Sequence, residues 1–252
     1  MLDLLKARFK HGYQAVRNIR KARIHEKFRG YPLLLNEHPS DAEKLAGICP
    51  TRAISAQPFS LDLGRCNFCN ACARESRGKT VSFCNFHYTS ADSREKLLIT
   101  PGRKPDEYRS KAIVCRKEIK RVFGRSLKLR SISAGGCGGC EWELGACSNV
   151  NFDMGRFGID MVASPRHADG IIITGPVTKN MSYALEDTLA AVPDPKIAIL
   201  LGTCAISGGL FAESDAVDRQ LIDKLKIDLF IPGCPPHPLS IINGILDFLG
   251  RK

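Results

Sequence analysis

Four cysteines in the second half of the chain fall where the surrounding residues predict the ends of β-strands. Cys137 and Cys140, in Gly136-Cys137-Gly138-Gly139-Cys140-Glu141, follow the run 127–133. Cys204 follows 197–201, and Cys234, in Gly233-Cys234-Pro235-Pro236, follows 228–231. Open α/β sheets bind ligands outside the carboxyl ends of their strands, so three strands would deliver four thiols to one edge. Four thiolates hold zinc or iron–sulfur. Zinc ribbons pair two short Cys-x2-Cys knuckles, whereas here one pair joins two distant single cysteines in Gly- or Pro-rich loops. Glycine lets the backbone approach a bulky cubane and aim amides at its sulfurs, which favours a [4Fe-4S] cluster over zinc.

A second constellation lies in the first half. Cys66-x2-Cys69-x2-Cys72 has the spacing of a bacterial ferredoxin run, in which the fourth cysteine, followed by proline, ligates the other cluster. Cys49-Pro50 fits the tail of a preceding run. At that spacing the remaining ligand positions of the preceding run are occupied by Leu45, Ala42 and Pro39, and the position after Cys72 by Ser76. One complete set survives, Cys49, Cys66, Cys69 and Cys72, while every position of the other is lost. Coordinated loss of this kind predicts a module holding one [4Fe-4S] cluster. Cys84 is a rival fourth ligand, and Cys49 is preferred for its Cys-Pro context. Cys115 and Cys147 have no partner spacing and read as buried, inert thiols.

The 252 residues, 44% of them hydrophobic, suffice for one good-sized core or a main domain with a smaller one. Basic residues interrupt the opening stretch before any signal-peptide core forms, and no segment approaches the roughly 20 apolar residues that span a bilayer. Eleven cysteines without a secretion signal predict metal ligation in a reducing, cytoplasmic compartment. The net charge of +11 concentrates in residues 1–36 and 103–130. A nucleic-acid partner is not expected, since neither a stacking platform nor a reading helix accompanies those charges. Leu2, Leu5, Phe9, Tyr13 and Val16 recur at helical spacing among Lys and Arg. They predict a basic amphipathic helix lying on a membrane surface or an acidic partner subunit, or an ordinary solvated helix.

Four regions follow: a helical arm, 1–36; a cysteine-bearing segment, 37–101; a linker with a basic helix over 107–123, within 102–126; and 127–252. In the last, strands are predicted at 127–133, 159–163, 169–174, 196–201 and 227–232, with helices at 141–148, 178–192, 215–226 and 238–249. Strand–helix alternation with continuously apolar strands implies an α/β fold, a doubly wound parallel sheet covered on both faces.

The residues around the first thiol set carry a family resemblance. Gly136–Glu141, Arg156-Phe157-Gly158-Ile159, Ser164-Pro165-Arg166-His167-Ala168-Asp169, Thr174-Gly175-Pro176-Val177-Thr178, Gly202-Thr203-Cys204-Ala205 and Ile231-Pro232-Gly233-Cys234-Pro235-Pro236 occur in this order. Residues 125–250 thus resemble the small subunit of membrane-associated, energy-converting [NiFe] hydrogenases of the formate hydrogenlyase type, homologous to the 20 kDa (B) subunit of complex I. The resemblance implies a flavodoxin-like fold. It also implies that Cys137, Cys140, Cys204 and Cys234 bind the [4Fe-4S] cluster nearest a catalytic large subunit. The complex I relatives carry adjacent cysteines at the first pair, so the two intervening glycines favour hydrogenase. After Gly208-Gly209-Leu210-Phe211 the family's longer insertion is shortened to 212–226. Residues 28–100 more weakly resemble the polyferredoxin-like subunit of these complexes, through Arg29-Gly30-Tyr31-Pro32 and Arg94-Glu95-Lys96-Leu97-Leu98, which implies a small α+β ferredoxin-like domain.

The expected function is electron transfer within a membrane-associated [NiFe] hydrogenase complex, on the inner face of the cell membrane, through two [4Fe-4S] clusters. The partners would be a large subunit, nickel-bearing or a nickel-free homologue, and other complex subunits including membrane ones. A complex I-like quinone reductase subunit and a non-catalytic iron–sulfur assembly module are the alternatives. The chain has no second pair of Cys-x2-Cys motifs suited to nickel and no nucleotide fingerprint. Glu141, Arg166 and His167 are candidates for coupling protons to electron transfer, against structural readings as a helix cap and a loop. His237 is a weaker candidate of the same kind.

Overall fold

The computed structural model describes residues 2–251. Met1, at the start of the predicted arm, and Lys252, at the end of the last region, lie outside them. In chain order the helices are α1 (Leu2–His11), α2 (Ala42–Gly47), α3 (Ala71–Glu75), α4 (Pro105–Ala112), α5 (Lys117–Phe123), α6 (Gly139–Ala146), α7 (Lys179–Ala191), α8 (Thr203–Ser207), α9 (Gln220–Lys224) and α10 (Pro238–Phe248). The strands are β1 (Pro32–Leu34), β2 (Ile54–Ala56), β3 (Phe59–Asp62), β4 (Val81–Phe83), β5 (Leu98–Ile99), β6 (Leu127–Ser133), β7 (Ile159–Met161), β8 (Gly170–Thr174), β9 (Ile197–Leu201) and β10 (Leu229–Ile231).

The last five strands form one parallel sheet in the order β10-β9-β8-β6-β7. Numbered within the sheet this is 2-1-3-4-5, the order of flavodoxin-like folds, with its switch point between β6 and β8. Period-2 alternation divides the apolar strand residues between two faces. Ile171, Ile173, Ala198 and Leu200 face one core, while Ile172, Ile197, Ile199 and Leu201 face the other. Truncating a residue buried this completely, such as Ile172→Ala, costs about 2–5 kcal/mol.

The segment before the sheet makes two small antiparallel pairings, β1 with β4 and a β2–β3–β5 ladder. Its core continues into one face of the parallel sheet, where Tyr31, Leu45, Leu63 and Leu97 join the cluster holding Ile171 and Leu200. Ala91 also pairs with Phe230 through two backbone hydrogen bonds, which covers the edge strand β10.

Three predicted elements differ. The helix expected over 107–123 is two helices, α4 and α5. Ile113 is extended, and Asp92 takes up both ends of the break, its amide donating to Ala112 O and its carboxylate accepting from Val114 N at 2.8 Å. The helix expected over 215–226 is reduced to α9, because Ser214 and Asp218 bond backbone amides two residues on and hold 212–219 in turns. In the arm, α1 stops before Gly12, whose φ is +65°. Residues 16–24 then form a strap. Ile19 is buried in the second core, and Arg20 donates to Asn243 and Asp247 on α10.

Candidate metal centres

Cys137 and Cys140 bracket the start of α6, Cys204 lies in the first turn of α8, and Cys234 lies between β10 and α10. All four therefore stand outside the carboxyl ends of β6, β9 and β10. Cys137 and Cys234 are exposed, and the other two are partly buried. Burial pushes the Cys140 thiol far above its ordinary range, and the charges of Glu141, Cys204, Cys234 and Cys137 add to this. Burial, then Cys234 and Cys137, push Cys204 up to about 11. The four groups thus sense one another. Gly202, at φ +89°, explains how they fit, since a Cβ there would lie 2.4 Å from Cys140 Sγ.

Cys49, Cys66, Cys69 and Cys72 line one pocket together with Pro50, Leu61 and Phe83. Burial raises Cys66 strongly and Cys72 to about 11, and in both the neighbouring cysteines of the set add to the rise. Backbone amides already point at two sulfurs, Phe68 N to Cys66 Sγ at 3.3 Å and Ala53 N to Cys49 Sγ at 3.2 Å. Cys84 stands apart, donating to Tyr31 O at 3.3 Å. Pro39, Ala42, Leu45 and Ser76, the positions at which ferredoxin spacing would put a second ligand set, are all buried, and Ser76 Oγ accepts from Val81 N.

The two sets are neighbours. The pKa of Cys234 is raised by burial, then by Cys137, and also by Cys69 of the other set. Buried Thr203 joins them, its Oγ1 lying 2.8 Å from Cys66 O and 3.1 Å from Gly233 O. Gly64 permits this contact, since a Cβ would approach Ile206 Cγ2 to 2.8 Å.

Among the described residues, no group of three or more His, Cys, Asp or Glu converges as a single-ion site. The donor chemistry and the cradles fit iron–sulfur: all-thiol sets, amides aimed at sulfur, and backbone pressed against Cys140. At neutral pH the raised thiols are protonated, so metal loading must displace protons.

Glu141 reaches across the sheet edge from the first turn of α6. Its Oε1 accepts from Ser133 Oγ at 2.6 Å and Thr174 Oγ1 at 2.7 Å, joining β6 to β8 at the switch point. Burial pushes its pKa up, but these two hydrogen bonds, with a smaller contribution from its own backbone amide, outweigh burial and hold the carboxyl below the usual range. Arg166 and His167 are not brought to the thiols. They are exposed on the β7–β8 crossover, both ends of which lie beside Leu129, toward the start of β6. His237 caps α10, accepting from Leu239 N at 3.1 Å, and packs edge-on to Phe28 and Phe152. Burial raises Cys147 to about 12 and its thiol donates to Glu143 O, while Cys115 is partly buried. Sequence reasoning missed Thr203 and Arg219. The Arg219 guanidinium donates to Pro176 O and to the carbonyls of Cys204, Ala205 and Ile206 on α8. No spacing announces either residue, because each acts on backbone carbonyls that only the tertiary fold supplies.

A flavodoxin-ordered sheet carrying thiols along its carboxyl edge defines the class, a component of an electron-transferring oxidoreductase. Residues 137–248 match the family described as NADH ubiquinone oxidoreductase, 20 Kd subunit, and the chain belongs to that family. A Pyrococcus furiosus protein named as a membrane-bound hydrogenase subunit is 37% identical over 129 residues, 51% of this chain and 77% of the relative. Formate hydrogenlyase subunit 7 of Escherichia coli is 41% identical over 134 residues, 53% of this chain and 51% of that one. A Geotalea daltonii protein named as an NADH-quinone oxidoreductase component is 40% identical over 116 residues, 45% of this chain and 68% of the relative. No helix among the described residues is long and apolar enough to cross a membrane.

Proposed function

We propose that this chain is the electron-transfer subunit of a multisubunit, membrane-associated [NiFe] hydrogenase and holds two [4Fe-4S] clusters. Cys137, Cys140, Cys204 and Cys234 would hold the one that faces a catalytic large subunit, and Cys49, Cys66, Cys69 and Cys72 the one that exchanges electrons with another partner. The carrying observation is the adjacency of the two sets, whose loops meet at Thr203, with Oγ1 2.8 Å from Cys66 O and 3.1 Å from Gly233 O, which suits a relay. Bound there, each cluster would store and release one electron at a time. The chain's own residues shape that chemistry. Thr203 fixes the spacing of the Cys66 and Cys234 loops, Arg219 holds the α8 carbonyls around Cys204, and Glu141 keeps a fixed negative charge at the edge.

The β2–β3 hairpin supports a ferredoxin-like reading of 37–101, as does the pairing of β4 with β1, which draws the end of the arm into that domain. We divide the chain into the arm 1–36, that domain, a linker 102–126 and the flavodoxin-like domain 127–252, peripheral on the inner membrane face. Hydrogenase is favoured over a quinone-linked relative by the two glycines between Cys137 and Cys140. Nickel content of the native complex, purified anaerobically through this chain, decides between them. Stoichiometric nickel is expected, and intact iron and sulfide without nickel would move the assignment to the quinone-linked branch. Redox titration tests the assembly-module alternative, which needs no reversible cycling.

A further inference from the structure

At the edge of the sheet opposite the cysteines, an apolar helix face and a cationic surface occur together. α1 buries none of its residues. Leu2, Leu5 and Phe9 fall at i, i+3 and i+7, on one helix face, and Phe9 is 85% exposed. Lys6, Arg8, Lys10 and His11 surround them, against Asp3 alone.

The strap tethers the chain a few residues after this helix. Val16 N donates to Asn151 O, and Arg156 donates to Val16 O, so the arm is attached to the loop that precedes β7. Arg251, at the end of α10, donates to Phe123 O and Gly124 O, and its own carbonyl accepts from Arg20. Lys120 lies against Gly250, where a Cβ would come within 3.5 Å of its Cδ. These contacts bring the end of α5, the end of α10 and the strap together at the starts of β6 and β7. Exposed Arg17, Lys21 and Arg23 of the strap thereby join exposed Lys117, Lys120, Arg121 and Arg125 around α5 and exposed Arg156 before β7, against Glu118, Asp160 and half-buried Asp153. The carboxylate of Asp247, also near this end, is already engaged by Arg20 at 2.6 Å and Arg109 at 3.9 Å.

We propose that this edge docks directly on an anionic lipid surface, with the Leu2–Leu5–Phe9 face inserted at the headgroup boundary and the strap and α5 cations against the headgroups. Apolar side chains interleaved with Lys and Arg on an unpartnered helix suit the bilayer interface. A wide, dispersed positive surface suits a planar anionic layer better than a single acidic protein patch. The thiol edge would point away from the lipid. The inference is independent of the hydrogenase reading, since it uses none of the cysteines.

The test is sedimentation of the cluster-loaded full chain with vesicles of phosphatidylcholine, alone or with phosphatidylglycerol. Binding is expected only with phosphatidylglycerol, about fivefold weaker for each of Lys6→Gln and Lys120→Gln, and lost in Leu5→Glu/Phe9→Glu. Unchanged iron content and Tm show that these variants fold. Brominated lipid should quench Phe9→Trp placed in a Trp142→Phe background, yet leave Trp142 unquenched in the native chain, because Trp142 sits on α6 beside the thiols. Equal binding to neutral vesicles, full binding by Leu5→Glu/Phe9→Glu, quenching of Trp142, or absence of vesicle binding with α1 held instead by an acidic protein would each overturn the proposal.

Discussion

Gly202→Ala should dismantle one thiol set and spare the other. The backbone there has φ +89° and ψ 157°, a conformation open essentially to glycine alone, so a side chain costs about 1–3 kcal/mol in backbone strain. The new Cβ would also lie 2.4 Å from Cys140 Sγ, where ordinary contact begins at 3.4 Å, so the sulfur must retreat by 3.4 − 2.4 = 1.0 Å. Overpacking of this kind adds about 1–3 kcal/mol. Together that is about 2–6 kcal/mol, and Tm should fall by roughly 5–20 °C for a chain of this length. Anaerobic electron paramagnetic resonance should show the C-terminal cluster signal lost or reduced, with the N-terminal signal kept. Gly47→Ala, with no atom within 4 Å of its Cβ, is the control and should leave both signals. A Gly202→Ala protein with both clusters at native potentials would refute the claim that this glycine seats Cys140.

Cys49→Ser should lose the N-terminal cluster, whereas Cys84→Ser should keep its full iron; the opposite pair of iron analyses would reassign the fourth ligand. Thr203→Val removes a buried hydroxyl and leaves Cys66 O unpaired, so urea unfolding should show about 1–3 kcal/mol of destabilisation and flash photoreduction slower exchange between the clusters. Glu141→Gln removes a fixed negative charge, so the C-terminal midpoint potential should rise by roughly tens of millivolts; a fall would contradict the charge state assigned to Glu141. Buried His87 has its pKa lowered to about 4 by burial, then by the charges of His237 and Arg109. Its stabilising contribution is present above the unfolded value of 6.5 and is lost as pH falls toward about 4. Acid denaturation should show a loss of up to about 3 kcal/mol across that window, absent in His87→Asn.

The parallel sheet and its thiol edge were legible because the strands are continuously apolar and each cysteine follows one directly. Pro39, Ala42, Leu45 and Ser76 stand where the ligands of a second ferredoxin site would be, and all four are buried. The break between α4 and α5 was not, because Asp92, which stabilises it, lies some twenty residues upstream. The arm read as helical over 1–36, yet Arg20 and Ile19 fasten its middle to α10 and the core, and Pro32–Leu34 near its end is β1. Only α1 keeps the exposed character that its pattern suggested. Glu141 was singled out, but its partners depend on the register that sets Ser133 beside Thr174. Arg166 and His167 drew attention by residue type, and the crossover carries them away from the thiols.

The most direct test of the relay is electron paramagnetic resonance of the fully reduced chain, compared with Cys49→Ser and Cys204→Ser. Two [4Fe-4S] signals that broaden or split each other are predicted, each variant leaving one simple, unsplit signal. A single cluster, or two whose spectra add without mutual perturbation, would contradict a relay built on the loops of Cys66 and Cys234 meeting at Thr203.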